Sequence, residues 1–186
     1  MVYIIIVVVL ILVIAPIIAV LPSKRQKEQM ALRRIAMSLG FSVQLTRIED
    51  PDPDPEKYLS NTGKPLERVM SVVAYRLSRR RPQDWRRLPQ IDWCLVRKHD
   101  AVMPDLPPGW AWELHPGERA APDFLKFLTT QVNRLPNDVV RVEEAGYLIS
   151  AYWNERGGQE AVNAITEFIT ACAGIMPYSS EIMDDD

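Results

Sequence analysis

From Val2 to Leu21 every position is apolar, with Pro16 the one imino acid in a run of Ile, Val and Leu. At 1.5 Å per residue, about 20 residues reach roughly 30 Å, the hydrocarbon thickness of a bilayer. The pattern therefore predicts a transmembrane helix over 2–21, within a segment 1–22. Pro16 removes one helix hydrogen bond and predicts a modest kink. A cleavable signal peptide would carry positive charge before a shorter apolar stretch and a small-residue cleavage site after it. Here Lys24, Arg25, Lys27, Arg33 and Arg34 follow the run instead, opposed only by Glu28. The positive-inside rule then predicts an outside N-terminus and a cytoplasmic C-terminal body.

Beyond the run the periodicity changes. Leu32, Ile35, Ala36 and Leu39 fall at i, i+3, i+4 and i+7, which predicts an amphipathic helix in a basic juxtamembrane segment 23–40. Gly40 suits its C-terminal stop. Phe41 to Ile48 alternates apolar and polar, a half-buried strand. Asp50-Pro51-Asp52-Pro53-Asp54-Pro55 forbids helix and sheet and predicts an extended acidic spacer over 50–63. Strands are predicted at Val69–Leu77, Ile91–Arg97 and Trp110–Leu114, the last after the turn residues Pro107-Pro108-Gly109. A helix should start at about Pro122, with proline at its favoured first position. Its apolar residues are Leu125, Leu128, Val132 and Leu135. Val139–Glu143 and Tyr147–Trp153 read as a hairpin turning near Ala145-Gly146, and a last helix spans about 159–173. Short strands joined by hairpin-style connections predict a 41–178 domain of α+β class, a small antiparallel sheet with two or three helices on one face. The tail 179–186, ending in three aspartates, is predicted to be disordered.

Composition sharpens this division. Of 186 residues 47% are hydrophobic, and 20 of these lie in the first 21 positions, leaving a body of ordinary globular composition. The length excludes a TIM barrel, a full dinucleotide dehydrogenase or a kinase. The net charge of −2 hides an asymmetry: residues 64–98 hold ten Lys or Arg against three acids, and residues 99–186 hold five against fifteen. Two readings follow. The cluster Arg79, Arg80, Arg81, Trp85, Arg86 and Arg87, with Lys24, Arg25 and Lys27, contacts anionic lipid or a membrane-protein partner; or the basic strands pair with acidic neighbours in the same domain. Nucleic acid fits poorly, since no recognisable binding motif is present and the chain is slightly acidic.

No phosphate-loop, dinucleotide, serine-elbow or zinc-helix motif occurs. Accordingly no catalytic residue, cofactor or metal is assigned. His99 and His115, with Asp100, Asp105 and Glu113 within seventeen positions, form the one grouping that could serve a metal-dependent or hydrolytic enzyme. Cys94 and Cys172, far apart in sequence and on predicted apolar positions, read as buried structural thiols. Trp93, Trp110, Trp112 and Trp153 read as strand residues, whereas Trp85 among arginines suits an interface.

The N-terminal span followed by Pro22-Ser23-Lys24-Arg25-Gln26-Lys27-Glu28-Gln29-Met30 resembles the start of the YajC-type accessory subunit of the bacterial preprotein translocase. The likeness covers about 30 residues, and its signals are those of any stop-transfer segment. More broadly the chain resembles bacterial single-pass inner-membrane proteins with a small cytoplasmic domain. The broader resemblance implies an inner-membrane location and no activity; the missing catalytic motif, with the stem, the basic Trp-containing loop and the acidic tail, leads to the expectation of a non-enzymatic accessory or scaffold subunit with a membrane-protein partner.

Overall fold

The computed structural model describes Tyr3, Ile4, Ile6, Val9, Leu10 and Leu12, then residues 23–82, 85–88 and 90–178. The six N-terminal positions are helical and exposed. The remainder of the expected span, and the expected acidic tail 179–186, lie outside the described residues. Among the described residues no helix is long and apolar enough to cross a membrane.

The body is an α+β fold, a six-stranded antiparallel sheet with three helices. Chain order is α1 (Lys24–Ser38), β1 (Ser42–Glu49), β2 (Val69–Ser78), β3 (Trp93–Arg97), β4 (Trp110–Leu114), α2 (Pro122–Gln131), a 3-10 turn (Val132–Arg134), β5 (Val139–Ala145), β6 (Leu148–Trp153) and α3 (Gln159–Gly174). Consecutive strands pair as three hairpins, but the sheet order is β1-β2-β6-β5-β3-β4. The β5–β6 hairpin is thus inserted between the other two, and the chain leaving β2 must cross its turn to reach β3. Three strand spacings make that crossing roughly 14 Å.

Alternation decides which side is filled. Val73 and Tyr75 of β2, Trp93 and Leu95 of β3, Trp110 of β4, Val142 of β5 and Ile149, Ala151 and Trp153 of β6 form one core with Ala36, Phe124, Leu128, Ile165, Phe168 and Cys172 from the helices. Full burial of each large apolar side chain contributes roughly 1.5–3 kcal/mol before entropy is counted. The other alternation gives two small clusters without helix residues, Val72, Ala74 and Tyr152, and Cys94, Val96 and Ala111. Polar side chains bridge that open side. Arg141 Nε donates to Glu143 at 2.7 Å, the Tyr152 hydroxyl donates to Glu143 at 2.5 Å, and Arg141 Nη1 lies 2.8 Å from Glu113.

Helix α1 has an orientation that matters for function. Ser23 starts it with a reciprocal capping box to Gln26, which fixes Lys24 as its first residue. Its C-terminus meets β1 where Ser42 faces Arg76, close to the exit of β2, here termed the lower end of the sheet. Arg33, halfway up, reaches Glu155 just beyond the upper exit of β6. Lys24, nine residues further, therefore projects about 13 Å beyond that pair, at the upper end.

The Asp-Pro run departs from the extended spacer the prolines predict. Tyr58 is buried and donates its hydroxyl to Asp50 at 2.5 Å, while Asp52 accepts from the backbone N–H of His99 at 2.7 Å. The acidic side chains that would repel in an isolated peptide are instead used as acceptors within a folded-back loop.

Candidate interaction surface

The crossing from β2 to β3 is where the arginines lie, and the β5–β6 turn shapes it. Gly146 and Tyr147 have φ of 59° and 66°, the left-handed pair a two-residue hairpin turn requires. One flank of that turn accepts the Arg79 N–H on Tyr147 O at 2.8 Å, and the other donates Gly146 N–H to Asp92 at 3.0 Å. The loop is pinned on both sides of the hairpin it passes.

That route separates residues adjacent in sequence. Arg79, one of the candidate contact residues for which both readings stood open, is turned inside and is only 5% exposed. Its Nε and Nη2 donate to the two oxygens of Glu144 at 2.6 and 2.7 Å, and its Nη1 donates to the carbonyls of Ala173, at 3.4 Å, and Ile175. Glu144 also accepts from the Trp93 indole at 3.0 Å. A buried charge pair survives only when its remaining donors and acceptors are satisfied, and here they are. For Arg79 the intramolecular reading of the charge asymmetry applies, and its role is to tie β2, β5 and the end of α3 together.

Arg81 and Arg86 remain outside. Their guanidinium carbons lie 4.6 and 5.6 Å from the centre of the Trp85 ring, and Arg81 is also 5.6 Å from the Tyr147 ring. Trp85 is 37% exposed, and Arg80, Arg86 and Arg87 are exposed. Beside them Arg79–Pro82 and Ala173–Met176 line a groove of about 490 Å³, with Met176 an exposed apolar residue on its wall. Stacked guanidinium and indole faces next to an apolar groove can grip an acidic or aromatic-bearing segment through charge and ring contacts.

Lys24, Arg25 and Lys27 are exposed on the first turn of α1, at the upper end of the sheet. The structure thus does not bring the two basic groups together: the helix, about 22 Å long, separates them.

His99 and His115 do not form a joint site. His99 follows β3 at the upper end and His115 follows β4 at the lower, with Arg97 facing Trp110 and Cys94 facing Leu114 across the pair. A five-residue strand holds them roughly 17 Å apart. His99 Nδ1 bonds Asp100 at 2.7 Å in full exposure, and that hydrogen bond raises the imidazole pKa. His115 Nδ1 accepts from the Gly117 N–H at 3.0 Å in a turn. Among the described residues no group of three or more His, Cys, Asp or Glu could hold a metal ion. Cys94 and Cys172 are both buried and free, and burial pushes both thiols well above the ordinary range, away from nucleophilic chemistry. Trp93, Trp110 and Trp153 are core residues.

Two features at the upper end carried no signal in the sequence. Arg33, counted there among juxtamembrane charges, grips the buried Glu155, with Nε at 2.8 Å from Oε1 and Nη2 on Oε2. That hydrogen bond raises the Arg33 pKa further. Glu155 adopts φ of 50°, a left-handed conformation unusual for glutamate. Next to it the Trp153 indole N–H and the Tyr75 hydroxyl are buried without a partner among the described residues. Each such orphan costs about 1–3 kcal/mol. Neither could be read from sequence, because both depend on where β6 and β2 meet.

No family model matches the chain, and no curated relative or solved structure is similar to it.

Proposed function

We propose that the chain is a membrane-anchored binding subunit of a bacterial inner-membrane assembly, held by residues 2–21 with its body in the cytoplasm. In this reading the apolar run spans the bilayer, and Lys24, Arg25 and Lys27 meet anionic headgroups where α1 begins. The body is non-enzymatic and presents the Arg81–Trp85–Arg86 stack to an acidic membrane-protein partner. The observation that supports this best is placement: the stack lies at the lower end of the sheet, a helix length from the first turn of α1. A basic loop at the far end from the anchor suits a protein partner better than the anchor's own lipid surface.

The test is recovery from membranes solubilised in a neutral detergent, comparing the natural chain with an Arg81→Glu, Arg86→Glu variant. The account expects a partner held by the natural chain and lost at least tenfold in the variant, with binding weakening steeply as salt is raised. Unchanged recovery contradicts it. Recovery of preprotein translocase components would specify the assembly as the one the N-terminal segment resembles. Anionic vesicles floating the body without residues 1–22, but not its Arg81→Glu, Arg86→Glu variant, would reassign the loop to lipid.

A further inference from the structure

A cleft of about 480 Å³ opens between α1 and the β1–β2 edge at the upper end of the sheet. We infer that it binds a small anionic amphiphile, a carboxylate head on a short apolar body. The floor is apolar: Val73 and Trp153 belong to the core, and Leu45 contributes a side chain that is 65% exposed, as a wall awaiting cover would be. The rim is cationic on balance. Arg33, Arg47 and Glu155 all line it, two cations to one carboxylate, and Glu155 is paired with Arg33. Glu155 occupies Nε and Nη2 of Arg33, while Nη1 makes no hydrogen bond among the described residues, and Arg47 makes no salt bridge among them. The planar guanidinium fork is the group best matched to an incoming carboxylate.

The buried polar groups beneath the cleft favour an acceptor-bearing ligand over a mere surface dent. Trp153, fully buried, is one of the residues beneath the cleft, and its indole N–H, closed off from solvent, has no partner among the described residues. The Tyr75 ring lies 5.3 Å away, edge-on, with its hydroxyl in the same condition. In addition, the left-handed Glu155 sits at the cleft mouth, and backbone strain of this kind gathers where a structure holds a functional group in place. A carboxylate head seated on Arg47 and Arg33 would lie above the Trp153 ring, where a shift of the lining side chains brings an oxygen to its N–H, and its chain would cover Leu45.

The test uses the full chain in neutral detergent, with 1H–15N correlation spectra that resolve the indole N–H signals. Replacement Trp153→Phe assigns the relevant one; if that variant does not fold, its contact with the Tyr75 ring does. Hexanoate is expected to shift the Trp153 signal saturably. Binding should weaken about tenfold in Arg47→Ala, the loss of one charge-assisted contact on an exposed side chain. Hexanol and inorganic phosphate, each lacking one half of the ligand, should bind at least tenfold more weakly. The inference is overturned by any of three results: no saturable shift with hexanoate, an equal response to hexanol or phosphate, or unchanged binding in Arg47→Ala.

Discussion

At the lower end of the sheet Arg79 lies inside the protein on Glu144, whereas Arg81 and Arg86 lie outside on the faces of Trp85. At the upper end Arg33 clasps Glu155, while Lys24, Arg25 and Lys27 on the same helix remain in solvent. Each end therefore combines one arginine that fastens the fold with several cations that face outward. The fastening arginine is set by the path of the backbone: Arg79 is the first residue past β2, where the chain turns under the β5–β6 hairpin, and Arg33 lies on the flank of α1 that meets the body. The outward cations are those the backbone has already carried past these points.

The comparison can be broken most sharply at Arg79. Replacing it with alanine leaves Glu144 buried and charged, and should cost about 3–5 kcal/mol in denaturant unfolding. Arg81→Ala should cost about 0.5 kcal/mol or less in the same measurement. Equal effects would erase the distinction between the two arginines. Removing the upper clasp is expected to be milder, because Arg33 keeps some solvent contact. Glu155→Ala should cost about 1.5–3 kcal/mol, the range for a charge-assisted hydrogen bond, and alanine keeps the left-handed strain that only glycine would relieve. Its second readout is faster amide exchange in α1 than in α3, since the clasp holds α1 at its middle.

Smallest of all is the effect at His99. Its partner Asp100 favours the protonated ring, so the folded-state pKa is raised above the unfolded value. Any stabilisation is thus fully present below the unfolded value of about 6.5 and fades as pH rises through the folded one. Because the pair is fully exposed, the observable is the titration itself. By 1H NMR the His99 midpoint should lie above that of an ordinary imidazole and fall toward it in Asp100→Asn. An unmoved midpoint would remove Asp100 as the cause.

Much of the element order was legible in the sequence because its signals are local. Alternation of Val43 and Leu45 with Ser42, Gln44 and Thr46 marks β1, Gly40 closes α1, Pro122 opens α2, and Gly146 sits in a turn whose backbone needs left-handed residues. The order of strands in the sheet was not legible. Three hairpins can be laid side by side or nested, and placing β6 against β2 depends on contacts between residues such as Val73 and Trp153, eighty positions apart. From that one insertion the rest follows: the long arginine-bearing crossing, the burial of Arg79, the separation of His99 from His115, and the cleft over Trp153. A run such as Arg79-Arg80-Arg81 reads as one patch until the strand it leaves and the hairpin it passes are known. The Asp-Pro run was legible as a loop but its contacts were not, since Asp50 and Asp52 find partners, Tyr58 and His99, only in the folded chain.

The central claim is that the lower end meets a protein while the first turn of α1 meets the bilayer. A photoreactive side chain placed at position 85, in place of Trp85, reads this directly when the full chain is illuminated in native membranes. The account predicts adducts to a membrane protein, abolished by the Arg81→Glu, Arg86→Glu change, and lipid adducts when the same group is placed at Lys24. Lipid adducts from position 85, or none at all, would contradict it.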